Sequence, residues 1–351
     1  MPTLPFFVGT YTVRGSRGIH SAQLDLDTGE LSAPTLAAES TNPTYLALSP
    51  HGKTLHAVSD SPSLAASFAI SADRRALTPL SAPQPAIGKP PSHLAVDATA
   101  RVVLVAHYHS GYVAAIPLAD TGAPGLPTER LQHTGSSINP DRQSAPHPHC
   151  VVVSPDNRHV LVCDLGLDKI FTYRLDPAAA ALTPAEPPFV ACEPGSGPRH
   201  LAFSPGGLHA FMLSEMGGTI TAYHYTATTG ALQPLHTHPT LPPHFRGENK
   251  SAAIRVHPNG RFVYASNRGP DTVAVLAIDP ASAHLSPVEI VPSGGAQPRE
   301  IALSPDGRWL LAAHQDSDNV TVFRVDPATG RITATATDLS IPSPVCIVFA
   351  S

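Results

Sequence analysis

The sequence predicts an all-β fold, a seven-bladed β-propeller closed by pairing of its N- and C-terminal strands. Three observations carry that expectation. A phrase of apolar run, Ser-Pro-Asp-Gly-like turn and second apolar run recurs every 47 to 57 residues, a spacing that suits a four-stranded blade. The composition is turn-rich and sparsely charged, with 39 prolines and 14% charged residues against 42% hydrophobic, which disfavours both helix and disorder. The two chain ends each supply one strand that lacks its partner.

The clearest copy of the repeat runs from Pro298 to His314, with its turn at Ser304-Pro305-Asp306-Gly307. Proline presets φ at the first central turn position, and Gly, Asn or Asp tolerates the later ones. The turn recurs at Ser49-Pro50-His51-Gly52, Ser154-Pro155-Asp156-Asn157, Ser204-Pro205-Gly206-Gly207 and His257-Pro258-Asn259-Gly260. A sixth copy, Asp97-Ala98-Thr99-Ala100, has lost both Pro and Gly. Third strands follow, such as 219–223, 273–276 and 320–323, each leading to an Asp-Pro-Ala or Thr-Gly turn. Six phrases give six blades. The seventh joins Val345–Ala350, a first strand with no second, to Phe6–Tyr11, a second strand with no first, and so removes two sheet edges. No linker interrupts the series, so residues 1–351 are expected to form one domain. Two stretches, 126–146 and 235–250, exceed the repeat and read as long loops, which on a rigid scaffold tend to carry function.

A net charge of −5 provides no basic field for nucleic acid or an anionic membrane, and no apolar run is long enough to span one. The N-terminus lacks a basic segment followed by an apolar one, so a cytoplasmic protein is expected, monomeric or weakly homo-oligomeric. Cys150, Cys163, Cys192 and Cys346 form no C-x-x-C pair and read as reduced thiols, mostly in the core.

In a propeller the starts of the first strands and the ends of the second strands meet around one channel mouth. Structural positions should look alike from blade to blade there, and functional ones should differ. The first-strand starts read Thr44, Ser92, His149, Arg199, Ser251 and Arg299, and the second-strand ends read Asp60, His107 with His109, Asp164, Glu215, Arg268 and His314. Arg199, Arg268 and Arg299 would repel one another at a shared mouth, and an anionic ligand relieves that cost. His107-x-His109 and His147-x-His149 put imidazoles on one side of an extended chain, but no third ligand stands at a matching spacing, so no metal is expected. Gly-x-Ser-x-Gly, P-loop and His-Glu-x-x-His motifs are all absent, which disfavours serine hydrolases, P-loop NTPases and zincins. No cofactor is expected.

The chain resembles, over essentially its whole length, the seven-bladed propeller lactonases that include bacterial 6-phosphogluconolactonase and fungal carboxy-muconate lactonizing enzymes. Phe7–Tyr11, Pro146–His149, Asp164–Lys169, Gly197–His200 and Ser266–Gly269 carry the likeness, in that order. The resemblance implies that His149, Arg199, Arg268 and Glu215 are catalytic. Arg299, His107, His314 and His147 are expected to contact substrate. The activity expected is hydrolysis of a small anionic sugar lactone, 6-phosphogluconolactone first, with His149, His147 or Glu215 as base. The alternatives are lactone formation on a carboxy-muconate and, in a different class, a non-catalytic scaffold for a protein partner.

Overall fold

A computed structural model describes residues 2–60, 64–85 and 89–350, so the two outermost residues of the expected domain lie outside the described chain. Seven antiparallel sheets follow one another around a ring, and each inner strand touches the inner strands of its two neighbours. The inner strands of blades one to seven are Pro43–Leu48, His93–Val96, Pro148–Val153, Pro198–Phe203, Lys250–Val256, Pro298–Leu303 and Pro344–Phe349. The last of these pairs antiparallel with Thr3–Thr10, Phe6 opposite Phe349 and Val8 opposite Ile347, so the chain ends close the ring as the sequence predicts.

Seven clusters of buried apolar side chains occupy the seven interfaces between adjacent blades. Neighbouring residues of one strand serve different interfaces, because successive side chains point to opposite faces. Phe6 packs toward the sixth blade and Phe7 toward the first. Both faces of a second strand are therefore covered, and His159–Asp164, His209–Ser214 and Trp309–His314 are buried at every position. Each such Val, Leu, Ile or Phe contributes roughly 1.5–3 kcal/mol by leaving water.

The turns behave as their residues require. Gly52, Asn157, Gly207, Gly260 and Gly307 all take positive φ at the last turn position, and Ala100 does the same at +57°. Its strain is offset by Asp97, whose buried carboxylate accepts hydrogen bonds from the backbone N–H groups of Thr99, Arg101 and Val102. A side chain thus replaces the missing Pro and Gly. Asp25, Asp176, Asp279 and Asp326 cap the outer turns in the same way.

The two long loops are shorter than expected. Glu129–Gln132 is the outer strand of the second blade, and the outer strand of the fourth, Ala231–Pro239, runs well into the other stretch. An outermost strand is paired on one side only, so it tolerates prolines and needs little apolar pattern. The four cysteines are free, three buried and Cys192 partly so, as expected. Among the described residues no helix is long and apolar enough to cross a membrane.

Candidate active site

One residue near the start of most inner strands is skipped in the pairing with the second strand. Thr44 lies between the paired Pro43 and Tyr45, His149 between Pro148 and Cys150, Arg199 between Pro198 and His200, and Arg299 between Pro298 and Glu300. A bulge of this kind bends the strand and re-aims a side chain, and here it turns these four toward the channel mouth. In the fifth blade Ser251 pairs with Asn267, as Pro198 pairs with Ser214, so the residue matching Arg199 is Ala252 rather than the expected Ser251. Its carbonyl oxygen accepts a hydrogen bond from Arg199.

The second strands correct the sequence reading by one residue. Thr10, Ser59, His107, Asp164, Ser214, Asn267 and His314 occupy matching register positions, and all are buried. Most of them tie down local turns. Asp164 accepts from His147 N and Gly166 N and holds the His133 ring at 2.6 Å, Asn267 donates to the Thr240 carbonyl, and His314 Nδ1 lies 3.3 Å from the Asn319 carbonyl. His107 stacks on Tyr112. The residue after each position faces the cavity in five blades: Tyr11, Asp60, Tyr108, Glu215 and Arg268. His107, His314 and Asp164 are therefore parts of the scaffold rather than the pocket lining, because a one-residue step along a strand reverses the direction of the side chain.

The pocket at this mouth has a volume of about 330 Å³ and is lined by His149, Glu215, Arg268 and Arg299 together with Arg142, Lys250, Tyr11, Tyr108, His109, Thr44, Asp60 and Ser92. Arg199 lies directly beneath, 2% exposed. Glu215 is the hub. Its Oε2 accepts from Arg199 Nε at 2.9 Å and from Arg268 at 3.0 Å, and its Oε1 from Arg142 at 2.6 Å. Burial alone would raise the Glu215 carboxyl, but Arg268 and Arg199 outweigh it and hold it well below the usual carboxylate range.

His149 Nε2 stands 3.9 Å from Glu215 Oε2. Its Nδ1 is enclosed and has no hydrogen-bond partner among the described residues. Burial first, and then Arg199, press the ring well below the usual histidine range, with only Glu215 opposing, so His149 is neutral near pH 7. Burial and the neighbouring Arg199 also lower Arg268, though a guanidinium remains charged in such a site. Three guanidiniums facing one carboxylate leave positive charge uncompensated. Arg299 and Lys250 add to it, since neither makes an ion pair among the described residues and Arg299 only overlies the Tyr11 ring.

Sequence reasoning missed Arg142, Tyr108, Tyr11 and Lys250 as lining residues. Arg142 was hidden because it belongs to no repeat and sits in the connection between blades two and three. That connection is held down at several points. The Gln143 side-chain amide donates to the Leu165 carbonyl, Ser137 donates to Asp168, and His133 bridges Asp164 and Tyr173. Gly166 lies so close beneath it that a Cβ there would overlap the Ala145 carbonyl oxygen. The expected contact His147 stands behind the lining, stacked on the Tyr108 ring with Nδ1 donating to the Tyr108 carbonyl. Among the described residues no group of three or more His, Cys, Asp or Glu side chains is arranged to hold a metal.

The site is thus a cationic mouth on a closed propeller, built around the Glu215 carboxylate and the His149 ring. The family described as seven-bladed β-propeller lactonase matches residues 5–349, and the chain belongs to it, and with it to the lactone hydrolases. The chain is 36% identical over 345 residues to 6-phosphogluconolactonase of Bacillus subtilis, covering 98% of this chain and 97% of that one. The fold superposes with a TM-score of 0.95 on the periplasmic gluconolactonase PpgL of Pseudomonas aeruginosa, at 33% identity, covering 100% of this chain and 99% of the other. A putative 6-phosphogluconolactonase of Bacteroides fragilis gives 0.93 at 32% identity, covering 99% and 98%.

Proposed function

We propose that the protein hydrolyses a phosphorylated sugar lactone, 6-phosphogluconolactone being the first candidate. The observation that carries this reading is the surplus of positive charge around Glu215, with Arg299 and Lys250 left without carboxylate partners in the same pocket. Likeness to the Bacillus subtilis 6-phosphogluconolactonase supports it over the full length.

In this reading Glu215 does not act as base, because a carboxylate held by three guanidiniums has little affinity for a proton. It keeps Arg199 and Arg268 in place. His149, neutral and with Nδ1 enclosed, takes a proton from water at Nε2 as the water oxygen attacks the lactone carbonyl. Negative charge moving onto the carbonyl oxygen is met by guanidiniums already fixed in position, so little reorganisation is needed. Glu215, 3.9 Å from the same nitrogen, stabilises the imidazolium by its charge as it forms. Collapse of the tetrahedral intermediate breaks the ring C–O bond. The imidazolium returns its proton to the leaving alkoxide, and the product is the open-chain hydroxy acid.

The test compares kcat/KM for 6-phosphogluconolactone and for unphosphorylated gluconolactone, in the wild type and in Arg299→Gln. The reading expects the phosphorylated lactone to be preferred and the preference to shrink about tenfold or more in the variant. A wild type with no preference would refute the assignment of the phosphate.

A further inference from the structure

We infer that Asp60 is a specificity-determining residue, a hydrogen-bond acceptor for the ring hydroxyl groups of the lactone, seated across the mouth from the arginines. The inference rests on the lactonase reading above and adds to it which part of the substrate is recognised, and where.

The pocket has two unlike halves. Blades three to six supply His149, Arg199, Glu215, Lys250, Arg268 and Arg299, with Arg142 entering beside the third. Blades seven, one and two supply Tyr11, Thr44, Asp60, Ser92, Tyr108 and His109, which set hydroxyl groups and one imidazole around a single carboxylate. Because blades are adjacent in chain order around a closed ring, these two sets face each other across the mouth.

Asp60 is unlike every other acidic group near the site. Glu215 is engaged by three guanidiniums, whereas the Asp60 carboxylate makes no ion pair and accepts no hydrogen bond among the described residues, although it lines a cavity rich in arginine. Its position is fixed by its own backbone N–H, which donates to the Asn42 carbonyl. Thr44, only 7% exposed and aimed by the bulge of the same blade, brings a hydroxyl that likewise has no hydrogen-bond partner among the described residues. A carboxylate accepts up to four hydrogen bonds and donates none, so it suits a ligand presenting several O–H groups. It repels a second carboxylate, which selects against a polycarboxylate such as a muconate. The substrate expected is therefore anionic at one end and polyhydroxylated at the other.

The probe pair is 6-phosphogluconolactone and the phosphate ester of 6-(hydroxymethyl)oxan-2-one, which keeps the lactone and phosphate but carries no ring hydroxyl. The quantity read is the ratio of kcat/KM between the two. Asp60→Asn turns one acceptor oxygen into an NH2 donor and removes the charge, so a site built to accept from hydroxyl groups loses discrimination, and the ratio is expected to fall about 10- to 100-fold, and about threefold in Thr44→Val. Thr44→Val also keeps the test open if Asp60→Asn does not fold. Turnover of both lactones with an unshifted ratio in the variants overturns the role of Asp60 alone. Absence of turnover of both by the wild type overturns the lactonase reading and this inference with it.

Discussion

Arg142 and Glu215 meet at 2.6 Å although 73 residues separate them in the chain. One lies in a connection outside the blade repeat, the other at the end of a buried strand of the fourth blade. Their contact makes the mouth of the propeller a single charged unit, in which one carboxylate fixes guanidiniums drawn from the second-to-third connection and from blades four and five.

Glu215→Gln keeps the shape of the hub and removes its charge. Arg199 and Arg268, both nearly buried, are then left facing each other uncompensated. Breaking a buried pair in this way costs about 3–5 kcal/mol, so the denaturant midpoint should fall clearly and activity with it. A midpoint equal to that of the wild type would mean that Glu215 does not hold the cluster together.

Removing the second-to-third connection's contribution should affect binding more than chemistry. For Arg142→Gln we expect KM to rise about tenfold with kcat changed less than about threefold. Gly166→Ala should produce the same pattern at lower amplitude, because the added methyl displaces the Ala145 carbonyl and, with it, Arg142. Steady-state kinetics on both variants checks this, and a loss confined to kcat would contradict it.

Acid should weaken the fold in a defined window. Burial depresses His56 and His107 from 6.5 to about 4, and lowers His93, His149 and His200 well below the usual histidine range in the same direction. The unfolded chain therefore takes up protons below pH 6.5 that the folded chain refuses, and stability falls as pH drops from about 6.5 toward 4. His56 and His107 each contribute about 3 kcal/mol to that slope. Glu215 adds in the same sense lower down, since its stabilisation is lost progressively as pH falls from the usual carboxylate range toward its depressed folded value. Chemical denaturation at a series of pH values tests this, and a flat profile between pH 6.5 and 4.5 would count against neutral buried histidines.

The fold was readable because each blade repeats one hairpin phrase and because the unmatched ends at Phe6–Tyr11 and Val345–Ala350 complete one another. The site was partly readable, for a physical reason that the register makes plain. The blade comparison picks out His149, Arg299, Glu215 and Arg268 in the pocket and Arg199 beneath it, but at the end of the second blade's second strand it favours His107 over Tyr108, and in the sixth it takes His314, which does not line the pocket. Ionisable side chains drew the eye to the position that anchors turns, while the cavity is served by the next residue along. Matching the strands on their shared bulge would have avoided the slip. Arg142 had no such signal, since a connection outside the repeat has nothing to be compared with.

The most direct measurement is the disappearance of 6-phosphogluconolactone, corrected for spontaneous hydrolysis, with wild-type protein and with His149→Gln side by side. The account predicts clear acceleration by the wild type and a loss of about 10²- to 10⁴-fold in the variant, the span expected for a general base. Acceleration that survives unchanged in His149→Gln, or none above background in the wild type, would contradict it.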